Sequence, residues 1–196
     1  MYVKNAKVEY KPTGYFLIFL GYFSLMFSVG LQYKISESLN VSAQDAHFAI
    51  SILFITFSFS AITVTCLSDI YGSFKVLKYS QLLSILGLCI AFLSDNINVL
   101  YIAFLFIGLG TGSYPGIARS LITRHVKDNI ELKKTYAILS ALLVCGPTLG
   151  TLFGNYMSQF SVWKYSYLMV AVAEIILLFY SQHTLFHDFK SQQLVT

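Results

Sequence analysis

The sequence predicts an all-α membrane protein, built as a bundle of six transmembrane helices. Hydrophobic residues make up 56% of the 196 residues and charged residues only 11%, whereas an average soluble domain has about 25% charged residues. The apolar residues are collected in long runs, and a helix of roughly 20 of them crosses a hydrocarbon core about 30 Å thick. Six runs qualify, and we expect them to form one domain over residues 1–196. They cover residues 14–33, 48–67, 76–93, 97–118, 135–159 and 165–181.

The first run follows Lys4, Lys7 and Lys11, so a signal peptide is the competing interpretation. The run is long for a signal peptide, and no small-residue cleavage site follows it, which favours a membrane span. The first, second, fourth and fifth runs contain no charged residue. The third is the shortest, and Lys78 near its start has a side chain long enough to reach the interface.

The lysines and arginines predict the orientation of the bundle. Six spans place both termini on the same side, which would hold eleven of the thirteen basic residues; only Lys34 and Lys164 lie on the other side. Because cytoplasmic loops are rich in lysine and arginine, both termini are predicted to be cytoplasmic. The net charge of +4 therefore reports topology. No basic cluster alternates with aromatic residues, so nucleic acid is not an expected partner, whereas membrane lipid is.

Other function classes find little support. Cys66, Cys89 and Cys145 lie inside or at the edges of apolar runs and are odd in number, which argues against a disulfide framework or a zinc site. The four histidines lie near span ends, too far from mid-membrane for an intramembrane serine protease. A phosphate-binding loop is absent, so we expect no cofactor, no metal and no enzyme activity. The segment 119–134 between the fourth and fifth runs suits either a short amphipathic cytoplasmic helix or a solvated linker.

Glycines are concentrated in the fourth and fifth runs. They recur every four residues, so each set lies on one helix face, and such faces let helix backbones approach closely in lipid. Pro115 and Pro147 predict bends. The glycine faces serve either helix packing alone or a moving interface between helices. The two sets are Gly108, Gly112 and Gly116, and Gly146, Gly150 and Gly154.

The turn between the second and third runs contains a carboxylate and a glycine. Asp69 at a helix end can accept backbone amides and pair with a cation, and the obvious cation is Arg119 at the cytoplasmic end of the fourth run. Gly72 permits a positive φ at the turn. The simplest alternative is an interfacial aspartate in contact with water.

This turn resembles the motif G-x-L-x-D-R-x-G-R-K of major facilitator superfamily transporters, with Leu67, Ser68, Asp69, Tyr71 and Gly72 in register. Three further stretches resemble the drug-efflux branch of bicyclomycin-resistance type. "GLGTGSYPGIARSLI" is similar to its fourth helix, "CGPTLGTLFGNY" to its antiporter motif, and "VWKYSYL" to the start of its sixth helix. The resemblance covers nearly the whole chain, in the order of the family.

The resemblance implies the N-terminal six-helix half of a proton-coupled transporter that exports a small amphiphilic molecule. In the family the motif aspartate locks a cytoplasmic gate against the other half. That half would come from a second six-helix chain or a homodimer, and the expected location is the bacterial cytoplasmic membrane. A non-transporting remnant, an assembly partner or a regulator is the alternative.

The sequence also departs from the family pattern. Thr65 stands at the motif glycine, and Ile70 and Ser73 stand at the motif arginines. Phe104 occupies the position of the family's buried arginine, and Arg124 the position of an acidic residue. Ile70, Ser73 and Phe104 thus remove cations that the resemblance would otherwise assign, whereas Arg124 places a cation where the resemblance implies an anion.

Glu174 lies near the middle of the sixth run, where a charged carboxylate costs several kcal/mol. We therefore expect it to be protonated or paired. Its role is either that of a proton-binding group for coupled transport or that of a neutral acid bonded to a neighbouring backbone or hydroxyl group.

Overall fold

The computed structural model describes residues 3–126, 128–160 and 163–193, and within these ranges it is all-helical. This confirms the predicted fold class. The helices are α1 (Val3–Gly30), α2 (Gln32–Ser38), α3 (Ala43–Tyr71), α4 (Ser73–Leu93), α5 (Ile97–Thr111), α6 (Tyr114–His125), α7 (Asn129–Ser158) and α8 (Lys164–Gln193).

In the described part of the chain, six helical stretches are long and apolar enough to cross a membrane. They contain the six predicted runs almost completely. The fourth span is built from two helices, α5 and α6, and the short helix α2 lies between the first and second spans. The spans cover Lys11–Gly30, Ala43–Tyr71, Ser73–Leu93, Ile97–Arg124, Asn129–Ser158 and Lys164–Thr184.

Side-chain caps explain where several helices begin. Ser42 accepts a hydrogen bond from the Asp45 amide at 3.1 Å, and the Asp45 carboxylate accepts the Ser42 amide in return, which closes a capping box at α3. Asn96 caps α5 and Asp128 caps α7 in the same manner, by accepting an early backbone amide. Polar residues between the apolar runs thus satisfy the free amides at helix starts.

The described residues of the segment 119–134 are divided between α6, a short amphipathic helix that begins at Tyr114, and the start of α7, so the solvated linker is not observed. Helix α6 continues through Arg119 to His125, and α7 already begins at Asn129. Leu121 and Ile122 are buried, so the apolar face of α6 extends beyond the predicted end of the span. Lys127 lies outside the described residues.

The buried side chains form two apolar clusters, one near each end of the bundle. Phe27, Leu53, Phe104 and Trp163 belong to the cluster toward the Lys34 and Lys164 side. The other, toward the opposite end, includes Ile18 and Ile122 among its members. Helix α1 contributes to both clusters and packs most extensively on α7, while α4 packs on α5 and α8.

The spans differ in how deeply they are buried. In the most apolar stretches of α3 and α7 only 22% of the residues are buried, against 56% in the first and fourth spans. Large apolar side chains such as Ile62 on α3 and Val144 on α7 are about two-thirds exposed (70% and 68%). These two helices therefore present the least covered surfaces of the bundle.

Candidate functional site

Asp69 at the end of α3 forms an ion pair with Arg124 at the end of α6. Oδ1 of Asp69 accepts a hydrogen bond from a terminal guanidinium nitrogen of Arg124 at 2.9 Å. Both side chains are more than half exposed, at 63% and 52%. The pair joins the second and fourth spans across one end of the bundle.

The predicted partner Arg119 does not make this contact, so the pairing inferred from the sequence requires correction. Arg119 is exposed, and no ion pair of it is found within the described part of the chain. Arg124 follows Arg119 by five positions, which corresponds to a rotation of about 140° around a helix of 3.6 residues per turn. Arg124 is also the last residue of the fourth span, level with the turn that holds Asp69.

Gly72 connects α3 to α4 with φ 89° and ψ 133°. The positive φ predicted for this turn is observed. A Cβ atom at Gly72 would meet no atom within 4 Å, so conformation and not space is what favours glycine here.

Three glycines of the fourth span, Gly108, Gly112 and Gly116, lie against α3, whereas Gly110 lies against α4. A Cβ atom built on Gly108 would come within 2.6 Å of the Leu53 carbonyl oxygen, and one on Gly112 would meet the Phe57 carbonyl oxygen. One on Gly116 would collide with the side chain of Thr65. Thr65 is the residue that stands at the motif glycine, so the bulk added at that position faces a glycine on the neighbouring span.

The glycines of α7 lie against α1. A Cβ atom on Gly146 would be 3.1 Å from the Phe19 carbonyl oxygen, and one on Gly150 would be 2.6 Å from the Phe23 carbonyl oxygen. Gly154 faces Phe27 and Gly30, so two glycines meet where the helices are closest. Helix α7 continues through Pro147 without interruption. Close backbone contact of this kind is how helices associate in lipid.

The hydrogen-bond ladder of the fourth span is interrupted at Gly112 and Ser113, directly before Tyr114 and Pro115, while both residues keep helical backbone angles. Hydroxyl groups satisfy the backbone around the interruption. Ser60 Oγ on α3 donates to the Leu109 carbonyl oxygen at 2.5 Å, and Ser113 Oγ donates to the Gly110 carbonyl oxygen at 3.1 Å. Such substitution by hydroxyl groups is what makes a broken helix tolerable within a membrane.

Glu174 on α8 is bonded to Tyr114, the first residue after this interruption. The Tyr114 hydroxyl donates to Glu174 Oε2 at 2.7 Å, and both residues are completely buried. Oε1 of Glu174 has no hydrogen-bond partner among the described residues. Sequence reasoning found Glu174 but missed Tyr114, which was considered only as part of a glycine-rich stretch.

Polar side chains of α4 line the same part of the bundle. Gln81 and Ser84 are fully buried one helical turn apart, and Ser84 lies beside the Tyr114 hydroxyl. Gln81 accepts a hydrogen bond from Ser181 on α8 at 2.9 Å. The spacing Ser80, Gln81 and Ser84 within an apolar run is a helical polar stripe, and it is the signal that could have located this cluster from the sequence.

Phe104, at the position of the family's buried arginine, is itself completely buried. Its ring lies 6.3 Å from the ring of Tyr167 within an apolar cluster. This part of the fourth span is therefore apolar. Among the described Asp, Glu, Lys, Arg and His side chains, Glu174 alone is fully buried.

A bundle of six apolar helices with glycine-lined contacts is the architecture of a multi-pass membrane protein. Residues 13–188 match the sequence profile of the Major Facilitator Superfamily. The chain belongs to this superfamily. It is thus a multi-pass integral membrane protein of a transporter family and not an enzyme.

Curated relatives in bacteria are named as transporters. An "Uncharacterized transporter" of Rickettsia bellii (strain RML369-C) is 28% identical over 147 residues, which cover 74% of this chain and 36% of the relative. An "Uncharacterized transporter" of Rickettsia felis (strain ATCC VR-1525 / URRWXCal2) is 30% identical, over 65% of this chain and 31% of the relative. "Putative transporter AraJ" of Escherichia coli (strain K12) is 23% identical, over 76% and 38%. The chain spans about a third of the length of these relatives.

A solved structure has the same arrangement of helices. A crystal structure of the peptide transporter POT in complex with sulfate superposes with a TM-score of 0.76 at 20% identity, over 89% of this chain and 37% of that one. At this identity the similarity concerns the fold alone.

Proposed function

We propose that the chain is one half of a secondary transporter that exports a small amphiphilic molecule in exchange for protons. The observation that supports this most is membership in the Major Facilitator Superfamily over residues 13–188. The antiporter-like stretch "CGPTLGTLFGNY" on α7 supports export by the bicyclomycin-resistance branch. The bacterial relatives support a location in a bacterial cytoplasmic membrane.

Transport would require a second six-helix unit. In secondary transporters of this architecture the substrate binds near the bilayer midplane between two repeats, which rock against each other. The aligned part of this chain covers only about a third of each relative, and α3 and α7 leave large apolar side chains exposed. A partner half or a second copy of the chain would pack against these two helices.

Asp69 and Arg124 form the proposed cytoplasmic gate element. The ion pair holds the second and fourth spans together at the side where the resemblance places the gate. A pair this exposed contributes only about 0.2–1 kcal/mol. That is weak enough for a gate to open when the two halves rock.

Proteoliposomes test the proposal. The purified chain is reconstituted alone, and uptake of a fluorescent lipophilic cation is followed after a pH gradient is imposed. We expect gradient-driven transport from a pair of identical chains. Transport should be lost in Asp69→Asn but retained in Asp95→Asn, which breaks the exposed Lys164–Asp95 pair at the other end of the bundle.

A second experiment asks whether a separate protein supplies the other half, and it uses the DNA directly downstream of the reading frame for this chain. If a second six-span reading frame lies there, its product is reconstituted with this chain. Gradient-driven transport only in the mixed liposomes would assign the second unit to that product. No transport in either preparation would contradict the proposal and leave an assembly partner or a regulator.

A further inference from the structure

The interrupted fourth span and the buried carboxyl group of the sixth span are joined by one hydrogen bond, between Tyr114 and Glu174. Tyr114 begins α6 immediately after the break at Gly112 and Ser113, and Pro115 follows it. A proline at the start of a helix leaves the preceding backbone free of the regular ladder. The Tyr114 side chain therefore lies at the point where α6 can change direction relative to α5.

The surroundings of Glu174 suit a neutral carboxylic acid and not a carboxylate. The carboxyl group receives one hydroxyl donor at 2.7 Å, and its second oxygen has no partner among the described residues. A buried charge needs a paired cation or several donors.

Among the described residues, no lysine, arginine or histidine forms an ion pair with Glu174. On α4, Lys75 and Lys78 are exposed near the helix start, whereas the buried residues are Gln81 and Ser84. On α1, Lys11 is engaged with Glu131 of α7. On α8 itself, Tyr180 and His183 are exposed near its end. Tyr114 is thus the titratable group in contact with the carboxyl group.

The geometry points to a proton-binding site at Glu174 whose occupancy sets the position of α6 through Tyr114. With the proton bound, the carboxyl group accepts the Tyr114 hydroxyl and holds the break in the closed arrangement seen here. When α6 pivots at Gly112 and Ser113 and admits water, the O–H bond of the acid breaks and the proton passes to that water. The carboxylate that remains cannot be satisfied by the single Tyr114 donor in the buried arrangement, so its charge keeps α6 in the pivoted position, where water supplies the missing donors.

Unpaired polar atoms nearby can supply hydrogen bonds to the carboxylate after this rearrangement. Gln81 Nε2 and Ser84 Oγ are buried without a hydrogen-bond partner among the described residues. Both lie on α4; Gln81 is bonded to Ser181 of α8, and Ser84 lies beside the Tyr114 hydroxyl. They can donate to the carboxylate, or to water that accompanies it, once Tyr114 moves. This inference rests on the proposed proton coupling, but it concerns the binding of the proton and not the movement of substrate.

We call the proton-controlled Tyr114–Glu174 hydrogen bond the latch. Two spectroscopic readouts test this latch without requiring transport. The three cysteines are replaced by serine, and spin labels are placed at the exposed positions Arg119 on α6 and Ile176 on α8. The distance between the labels is measured in lipid nanodiscs at acidic and alkaline pH. Infrared difference spectra of the same samples report the carbonyl band of a protonated carboxyl group.

We expect the label distance to change with pH in the wild-type chain, together with loss of a carbonyl band that Glu174→Gln lacks. Glu174→Gln keeps the shape of the neutral acid and should remain in the acidic distance distribution at both pH values. Tyr114→Phe should retain the titrating band but lose the distance change. Glu131→Gln, at the cytoplasmic start of α7, should behave as wild type.

Several results would overturn the inference. The first is a pH-dependent change of the label distance in Glu174→Gln or in Tyr114→Phe that equals the change in wild type. The second is a constant label distance in wild type while the carbonyl band titrates. The third is a Glu174 carbonyl band that does not titrate. A chain that shows the latch but moves no substrate in proteoliposomes would retract the proposed function and keep the latch. A transporting chain without the latch would do the reverse.

Discussion

At the scale of single residues, the charge that completes the candidate gate stands where the sequence departs from its family. Arg124 occupies a position at which the resemblance implies an acidic residue, and it is the partner of Asp69. The motif arginines are replaced by Ile70 and Ser73, which cannot serve as cations. The turn has thus lost the two cations of the motif, and Arg124 at the end of α6 provides a cation for Asp69 in their place.

A double-mutant cycle tests the pair. Asp69→Asn and Arg124→Gln should each lower the free energy of unfolding in mixed micelles by less than about 1 kcal/mol, because both side chains are largely exposed. The double variant should be less destabilised than the sum of the two single changes, since contacting residues are not additive.

Arg119→Gln provides the matched control on the same helix. Combined with Asp69→Asn, it should be additive within about 0.3–0.5 kcal/mol. Coupling between Asp69 and Arg119, or strict additivity between Asp69 and Arg124, would show that the pair found here does not exist in the membrane.

At the scale of helices, glycines of α7 form its close contact with α1. The contact of α7 with α1 is graded, because the distance from an added Cβ atom to the facing carbonyl oxygen is 3.1 Å at Gly146 and 2.6 Å at Gly150. A contact under 3 Å with backbone cannot be relieved by moving a side chain. The two positions thus differ in tolerance although they belong to the same helix face.

We predict that Gly150→Ala destabilises the bundle more than Gly146→Ala does, and that Gly150→Leu costs at least the roughly 1–3 kcal/mol typical of overpacking. The measurement is the unfolding midpoint and the folded yield in detergent. The control is Ala141→Leu, on an exposed face of α7. Equal yields for Gly150→Leu and Ala141→Leu would mean that the glycine face of α7 does not pack on α1.

The spans could be predicted from the sequence, whereas the contacts between them could not. A run of apolar residues fixes a membrane helix by local composition alone, and the six spans were found for that reason. The contact of Tyr114 with Glu174 depends on how α6 and α8 are rotated about their axes, which is decided by packing. The same holds for the choice between Arg119 and Arg124, two exposed cations on one helix.

At the scale of the whole molecule, the orientation in the membrane remains a prediction from charge. Asp69, Arg124 and Glu131 lie at the end of the bundle that collects most of the lysines, and the Lys164–Asp95 pair lies at the opposite end. The ion pairs at both ends are exposed or half-exposed, as expected where helices emerge into water.

Cysteine labelling in intact cells checks the orientation. In a cysteine-free background, cysteines at Lys75 and Lys134 should react with an impermeant maleimide only after the cells are opened, whereas those at Lys34 and Lys164 should react in intact cells. The physical reason is the retention of lysine-rich loops in the cytoplasm. Labelling of Lys134→Cys in intact cells would contradict cytoplasmic termini.

The pairing of α1 with α7 has a consequence for biosynthesis. A ribosome delivers the first span long before the fifth, yet the glycines that α1 faces belong to the fifth. During translation α1 therefore lacks its most extensive packing partner until α7 has been made. Assembly of this bundle is therefore completed late, when the last third of the chain has been made.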